Sequence, residues 1–129
     1  MSKRVYEIEG GNFATLEEFW DEISCKLIPD AYWGRNLDAF NDILRGGFGT
    51  PEEGFVLVWK DSSLSKEKLG YSETVRQLEK RLQECHPASR EHVKKKLNQA
   101  QLNQGPTVFN WLMDIIQDDE HKDIELRLE

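Results

Sequence analysis

The chain has 129 residues, of which 38% are hydrophobic and 32% charged, and its formal net charge is −7 at pH 7. This length suits one domain with its own core, and no apolar run approaches the roughly 20 residues that cross a membrane. The composition therefore excludes a disordered chain and a membrane-spanning protein, and we expect one cytoplasmic domain over residues 1–129.

The charge is distributed unevenly along the chain. Residues 1–59 carry a net charge of −6, residues 60–102 carry +4 and residues 103–129 carry −5. The acidic ends argue against nucleic-acid binding and favour a basic protein partner. A requirement for solubility alone would explain the same charge distribution. Cys25 and Cys85 lack a CxxC partner, which is typical of reduced thiols in the cytoplasm.

The N-terminal half predicts two strands and two helices. Residues 5–9 alternate with period two and indicate a strand. Thr15, with Glu18 three residues later, predicts the start of an amphipathic helix that Pro29 ends. A second, short helix is expected over residues 37–44. Residues 55–59 are continuously apolar, as expected for a strand that is covered on both faces.

The segment over residues 62–104 is predicted to be a helical insertion. Apolar residues recur there at helical spacing, and Pro87 suits the first turn of a further helix over residues 88–102. An amphipathic helix over residues 107–117 and an alternating strand over residues 124–128 complete the chain. Strands separated by helical crossovers pair in parallel, so we predict an α/β fold with a three-stranded parallel sheet packed with helices.

Residues 32–42 carry the clearest functional signal. Two aromatic residues and a glycine precede a helix that Asn36 is placed to cap. On a helical wheel Asp38 and Asp42 fall opposite the apolar residues, and their Cβ atoms are expected to lie about 5–6 Å apart. Two carboxylates at this spacing imitate neighbouring phosphates of a nucleic-acid strand, so the surface suits a protein that binds phosphates.

The sequence from Tyr32 to Asp42, YWGRNLDAFND, resembles the signature of the barstar family, protein inhibitors of barnase-type ribonucleases. The order of elements over about residues 3–61 and 106–128 is similar as well. The resemblance implies a barstar-like fold and an inhibitor that occludes a nuclease active site without performing chemistry. It also implies a barnase-like ribonuclease, or a related nuclease toxin, as partner.

The resemblance assigns most of the binding residues to this one stretch. Tyr32 is implied as the inserted aromatic residue, Gly34 and Asn36 as shaping the loop and helix start, and Asp38 and Asp42 as the acids that occupy phosphate positions. Asp42 is the implied main anchor. Trp33 is placed by the sequence on the same loop among exposed neighbours, and we expect it to belong to the binding surface.

Two positions depart from the family pattern, and one acid of that pattern has no unambiguous counterpart. Asn41 stands where an aromatic residue is usual. Phe48 stands where the family has the tryptophan of a Gly-Trp pair. A further acid on the late helix is implied, for which Asp114 is the candidate and Asp118 the next. We expect the choice of partner to differ at Asn41 and Phe48.

The residues leave three other functions open. Asp38 and Asp42 could be paired carboxylates of a glycoside hydrolase, but acids on the outside of one helix would not acquire the raised pKa of a general acid. The basic helices of the insertion could instead belong to a generic interaction module, or the protein could be an immunity protein for a different nuclease toxin. We expect neither a cofactor nor a metal, since the histidines lack metal-site spacing.

Overall fold

The computed structural model describes residues 3–46 and 49–129. Its strands are β1 (Val5–Glu9), β2 (Val56–Lys60) and β3 (Glu125–Leu128). Its helices are α1 (Leu16–Lys26), α2 (Leu37–Leu44), α3 (Ser62–Lys68), α4 (Tyr71–Glu84), α5 (Arg90–Gln101) and α6 (Val108–Ile116). The predicted α/β class, the strands and the principal helices are confirmed, with ends that differ by one or two residues.

The three strands form one open parallel sheet in the order β1-β2-β3. The central strand β2 pairs with β1 in the register Val5 to Val56 and with β3 in the register Val56 to Glu125. This is the predicted parallel sheet. Because both neighbours satisfy its backbone hydrogen bonds, the central strand can be buried, and a buried strand favours apolar side chains.

The main core lies on one face of this sheet and is rich in aromatic residues. Phe19 of α1 stacks on Trp59 of β2, with ring centroids 5.4 Å apart. The same Phe19 meets Phe40 of α2 edge to face at 5.5 Å. Phe19, Phe40 and Trp59 are all fully buried. Through these three rings the helix that carries the predicted site is fixed to the sheet.

The side chains of β2 are buried on both faces of the sheet, as predicted. Val56 and Val58 point away from the main core and are nevertheless buried. Their neighbours on that face, Val5, Glu7 and Arg127, are exposed. Because β2 is the central strand, side chains of the two flanking strands shield its valines, and a continuous apolar strand needs no second helical layer here.

The helices between β2 and α6 divide into two parts. Helix α3 joins the main core, where Leu69 is fully buried and Ser65 Oγ accepts a hydrogen bond of 2.9 Å from Trp59 Nε1. Helices α4 and α5 pack against each other around a second, smaller cluster formed by Leu78, Leu97 and Ala100. Of the segment predicted as an insertion, residues 62–104, only the α4–α5 hairpin has an apolar cluster of its own, because α3 joins the main core. The bounds 62–104 therefore remain a prediction.

Candidate protein-binding site

The loop before α2 places one aromatic side chain in solvent. Tyr32 is 97% exposed, more than any other large hydrophobic side chain in the described part of the chain. Arg35, three residues later, has a left-handed backbone with φ of 51°. Its guanidinium donates to Asp21 Oδ1 of α1 at 2.8 Å. The loop that presents Tyr32 is thereby fastened to α1.

The start of α2 has the predicted cap. Asn36 Oδ1 accepts a hydrogen bond of 2.8 Å from the backbone N–H of Ala39, which satisfies one of the free donors of the first turn. Gly34 packs closely here, since an added Cβ would lie 3.2 Å from both the Ala39 Cβ and the Asn36 Nδ2. The cap and the close approach define where α2 begins.

Helix α2 buries one face and exposes its acids on the other. Phe40, Ile43 and Leu44 are buried, whereas Asp38 and Asp42 are exposed. Asp42 is only weakly engaged within the chain, because its Oδ1 lies 4.0 Å from Arg45 Nη1. Arg45 instead forms a close ion pair with Glu120, which, with help from Asp42 and Asp118, raises the pKa of its guanidinium. The structure therefore leaves the Asp42 carboxylate accessible to another molecule.

A second acidic element adjoins α2. A cleft of about 370 Å³ between α2 and α6 is lined on the α2 side by Asp38 and Asn41, and on the other side by Asp114 and Asp118. Asp42 is not among the residues that line this cleft. Asp114 and Asp118 follow Asp38 by more than 70 residues in the sequence, and the fold brings all three to the same cleft.

The expectation that Trp33 is exposed is wrong. Its side chain is only 6% exposed and belongs to the main core. The indole packs edge to face on Trp20 with centroids 5.4 Å apart, and its Nε1 donates to Ser24 Oγ at 2.7 Å. An indole whose N–H is satisfied inside the protein has no reason to reach solvent. Trp33 is thus positioned to hold the loop that presents Tyr32.

Asn41 faces the protein as well as the cleft. Its Oδ1 lies 2.6 Å from Nε2 of the buried His121, in the turn that leads to β3. An amide oxygen accepts hydrogen bonds, so Nε2 of the ring donates this one. Nδ1 is buried and has no hydrogen-bond partner among the described residues. Burial lowers the pKa of His121, against the opposing attraction of Asp118 and Glu120.

Two features of this surface were not predicted. The Arg45–Glu120 ion pair and the Asn41–His121 contact both join α2 to the turn Asp119–His121. The sequence offered only a polar turn at these positions, and no spacing rule links residues about 80 apart. Phe48, the remaining predicted binding residue, lies outside the described residues.

Other kinds of site find little support in the described part of the chain. No group of three or more histidine, cysteine or acidic side chains is placed there to hold a metal ion. Cys25 and Cys85 are free. No described helix is long and apolar enough to span a membrane.

The architecture is that of a barstar-like α/β protein, with three parallel strands, one layer of packed helices and an acidic second helix. The chain belongs to the Barstar family, because the family model described as barstar (barnase inhibitor) matches residues 3–128. The match spans the α4–α5 hairpin as well as the rest of the fold. A search of the curated proteins found no match.

Proposed function

We propose that this protein inhibits a barnase-type ribonuclease by inserting Tyr32 and the acids of α2 into the active site of the enzyme. The observation that carries the proposal is the pair Asp38 and Asp42, exposed on the outer face of a capped helix whose other face is locked in the core. Fixed carboxylates cost little to organise on binding, so a preformed acidic helix suits a cationic active site.

The proposed roles follow the positions of the side chains. Asp42 is the main anchor, because its weak internal contact leaves it free to accept from arginine or histidine side chains of the enzyme. Asp38 contributes a second carboxylate and shares its cleft with Asp114 and Asp118. Tyr32 supplies apolar area beside them, as exposed tyrosines do at the centres of interfaces.

Inhibition by occlusion needs no catalytic acid, and the acids of α2 are poorly suited to be one. Asp38 and Asp42 are exposed, and an exposed carboxylate lacks the desolvation that would prepare it as a general acid. Proteins of this family are inhibitors rather than enzymes. We place the action of the protein in the cytoplasm, where free thiols such as Cys25 and Cys85 persist.

The test measures RNA cleavage by barnase and by other barnase-type ribonucleases at increasing concentrations of this protein. We expect the native protein to abolish cleavage by at least one of these enzymes. Asp42→Ala should weaken that inhibition by 100-fold or more, which corresponds to the loss of about 3 kcal/mol when one partner of a buried charge pair is removed. Glu67→Ala, an exposed carboxylate on α3, is the matched control and should inhibit like the native protein.

The outcome also separates the alternatives. If Asp42→Ala inhibits as well as the native protein, the proposed anchor is wrong. If no barnase-type enzyme is bound, an immunity protein for a different nuclease toxin becomes the better hypothesis, and a screen of such toxins is the next measurement. A generic interaction module is favoured only if no nuclease is inhibited and a partner binds elsewhere on the chain.

A further inference from the structure

Arg45 lies between the proposed anchor, Asp42, and a carboxylate that another element supplies. It is the C-cap residue of α2 and follows Asp42 by three positions. Its guanidinium forms a close ion pair with Glu120, in the turn before β3, whereas Asp42 Oδ1 lies 4.0 Å from Arg45 Nη1. Two carboxylates therefore compete for one cation, and in this structure Glu120 holds it.

The turn Asp119–His121 fixes Glu120 over α2. The next side chain, that of His121, is buried, and its Nε2 lies 2.6 Å from Asn41 Oδ1 of α2. On the other side, Asp118 Oδ1 accepts a hydrogen bond of 2.9 Å from the backbone N–H of Glu120. Because the backbone of Glu120 is held in this way, its side chain loses less conformational entropy when it forms the ion pair.

Without Glu120, Asp42 would be the nearest partner of the guanidinium. Among the described residues, the carboxylates of Asp42 and Glu120 are the ones that lie within 4.0 Å of Arg45. Asp118 also attracts Arg45, but it lies farther away and already accepts from the backbone N–H of Glu120. The side chains of Arg45 and Asp42 are both more than half exposed, so the guanidinium has room to turn.

A guanidinium that turned to Asp42 would oppose the proposed inhibition. Acidic and basic side chains three residues apart on a helix pair readily, and such a pair would occupy the oxygens that the ribonuclease needs. The enzyme would have to break the pair, or to bind with the charge of Arg45 beside its own cations. Like charges that meet at an interface lower affinity.

We infer that Glu120 is a positioning residue of the binding site, which holds Arg45 away from Asp42 and so keeps the anchor open to the cations of a ribonuclease. The inference depends on the proposed function, because it takes Asp42 as the anchor. Glu120 acts through Arg45 and needs no contact of its own with the enzyme. The turn before β3 thereby becomes part of the functional site.

The first experiment measures the dissociation constant for the ribonuclease that the native protein inhibits most tightly. Glu120→Gln should raise this constant about tenfold, because Arg45 then masks Asp42. Arg45→Gln in the Glu120→Gln background should restore most of the affinity, since the masking cation is gone. The same Arg45→Gln substitution should have a smaller effect in the native background. A defect in folding would not be repaired by the second substitution.

The matched control is Asp119→Asn. Asp119 is an exposed acid of the same turn, and its substitution changes the net charge by the same amount. Equal losses of affinity in Asp119→Asn and Glu120→Gln would show a general effect of net charge and would overturn the inference. Equal effects of Arg45→Gln in the two backgrounds would also overturn it, because independent side chains act additively.

A second experiment needs no ribonuclease. In a crystal structure of the free Glu120→Gln protein, with this surface clear of neighbouring molecules, the guanidinium of Arg45 should lie about 3 Å from a carboxylate oxygen of Asp42. A guanidinium that turns to Asp118, or that extends into solvent, would show that Glu120 does not keep the two side chains apart.

The two proposals fail in distinguishable ways. If Asp42→Ala abolishes inhibition while Glu120→Gln inhibits like the native protein, the inhibitor proposal stands and the role of Glu120 is wrong. If Glu120→Gln weakens inhibition while Asp42→Ala does not, Glu120 acts by another route, and both the anchor and this inference are wrong. If the native protein inhibits no ribonuclease, the proposed function fails and the inference fails with it.

Discussion

At the scale of single residues, Tyr32 and Trp33 are neighbours in sequence with opposite surroundings. Tyr32 is 97% exposed, whereas Trp33 is 6% exposed, packs on Trp20 and donates to Ser24. The backbone between them sends one ring to solvent and one to the core. The two residues should therefore respond in opposite ways to truncation.

We predict that Trp33→Ala destabilises the protein and that Tyr32→Ala does not. Truncation of a buried tryptophan costs about 3–5 kcal/mol, because it leaves a cavity, whereas an exposed side chain changes the free energy of unfolding by about 0.5 kcal/mol or less. Urea unfolding followed by circular dichroism measures both. Tyr32→Ala should instead weaken ribonuclease inhibition. A stable Trp33→Ala protein would contradict the buried position of the indole.

Asn36 acts on stability at the same scale. Asn36→Ala removes the acceptor of the Ala39 N–H and should lower the free energy of unfolding by about 1 kcal/mol, the usual cost of losing an N-cap. Asn98→Ala, at an exposed position inside α5, is the control and should not destabilise. If the two variants unfold at the same urea concentration, the cap contributes nothing.

At the scale of elements, α4 caps α1 through a side chain from outside the helix. The carboxylate of Glu73 is 4% exposed and accepts from Leu16 N–H, Arg76 and Gln77. The neighbouring Glu17 belongs to the same network. Its burial opposes ionisation, but hydrogen bonds from Gln77 and Arg76 outweigh that effect and lower the pKa of Glu17. The hairpin and α1 are therefore coupled through a charged network rather than through apolar packing alone.

Glu73→Ala should cost about 1–3 kcal/mol, because a buried backbone N–H loses its acceptor. Hydrogen exchange should become faster at the Leu16 amide in particular, and urea unfolding should report the loss of stability. Glu79→Ala, an exposed glutamate of the same helix, should leave both measurements unchanged. Unaltered protection of the Leu16 amide in Glu73→Ala would show that α4 does not cap α1.

At the scale of the whole molecule, the Asn41–His121 contact joins the proposed binding helix to the turn before β3. The ring of His121 is buried, which lowers its pKa, and Asp118, Glu120 and Arg45 are the charged groups around it. Protonation would place a charge where water is excluded, so the folded protein favours the neutral ring.

The pH dependence follows from the sign of this shift. The folded protein holds the pKa of His121 below the ordinary value of 6.5, so the unfolded chain binds a proton first as the pH falls. Stability is then fully present above about pH 6.5 and is lost progressively as the pH falls toward the folded pKa.

The measurement is the free energy of unfolding between pH 5 and pH 8, taken from urea titrations. His121→Gln should reduce the slope below pH 6.5 relative to the native protein, whereas His86→Gln, at an exposed position, should not. Parallel curves for the native protein and His121→Gln would show that another group controls the acid limb.

The local elements could be predicted because short-range physics decides them. Periodicity and caps gave α2 its bounds, Leu37–Leu44, and placed Asp38 and Asp42 opposite Phe40. Trp33 was misjudged because a tryptophan between an exposed tyrosine and a glycine carries no periodic signal. Its burial depends on Trp20 and Ser24, which α1 supplies from a distance along the chain.

The sequence by itself determined the α/β class, the acidic outer face of α2 and the likeness to an inhibitor family, because hydrophobic spacing and a contiguous motif carry this information. Only the tertiary structure decided which acids meet across the α2–α6 cleft, that His121 is bound to Asn41, and that α4 walls a groove beside Asp38. These contacts join residues that are far apart in the chain, and their geometry exists only after the sheet and its helices have packed.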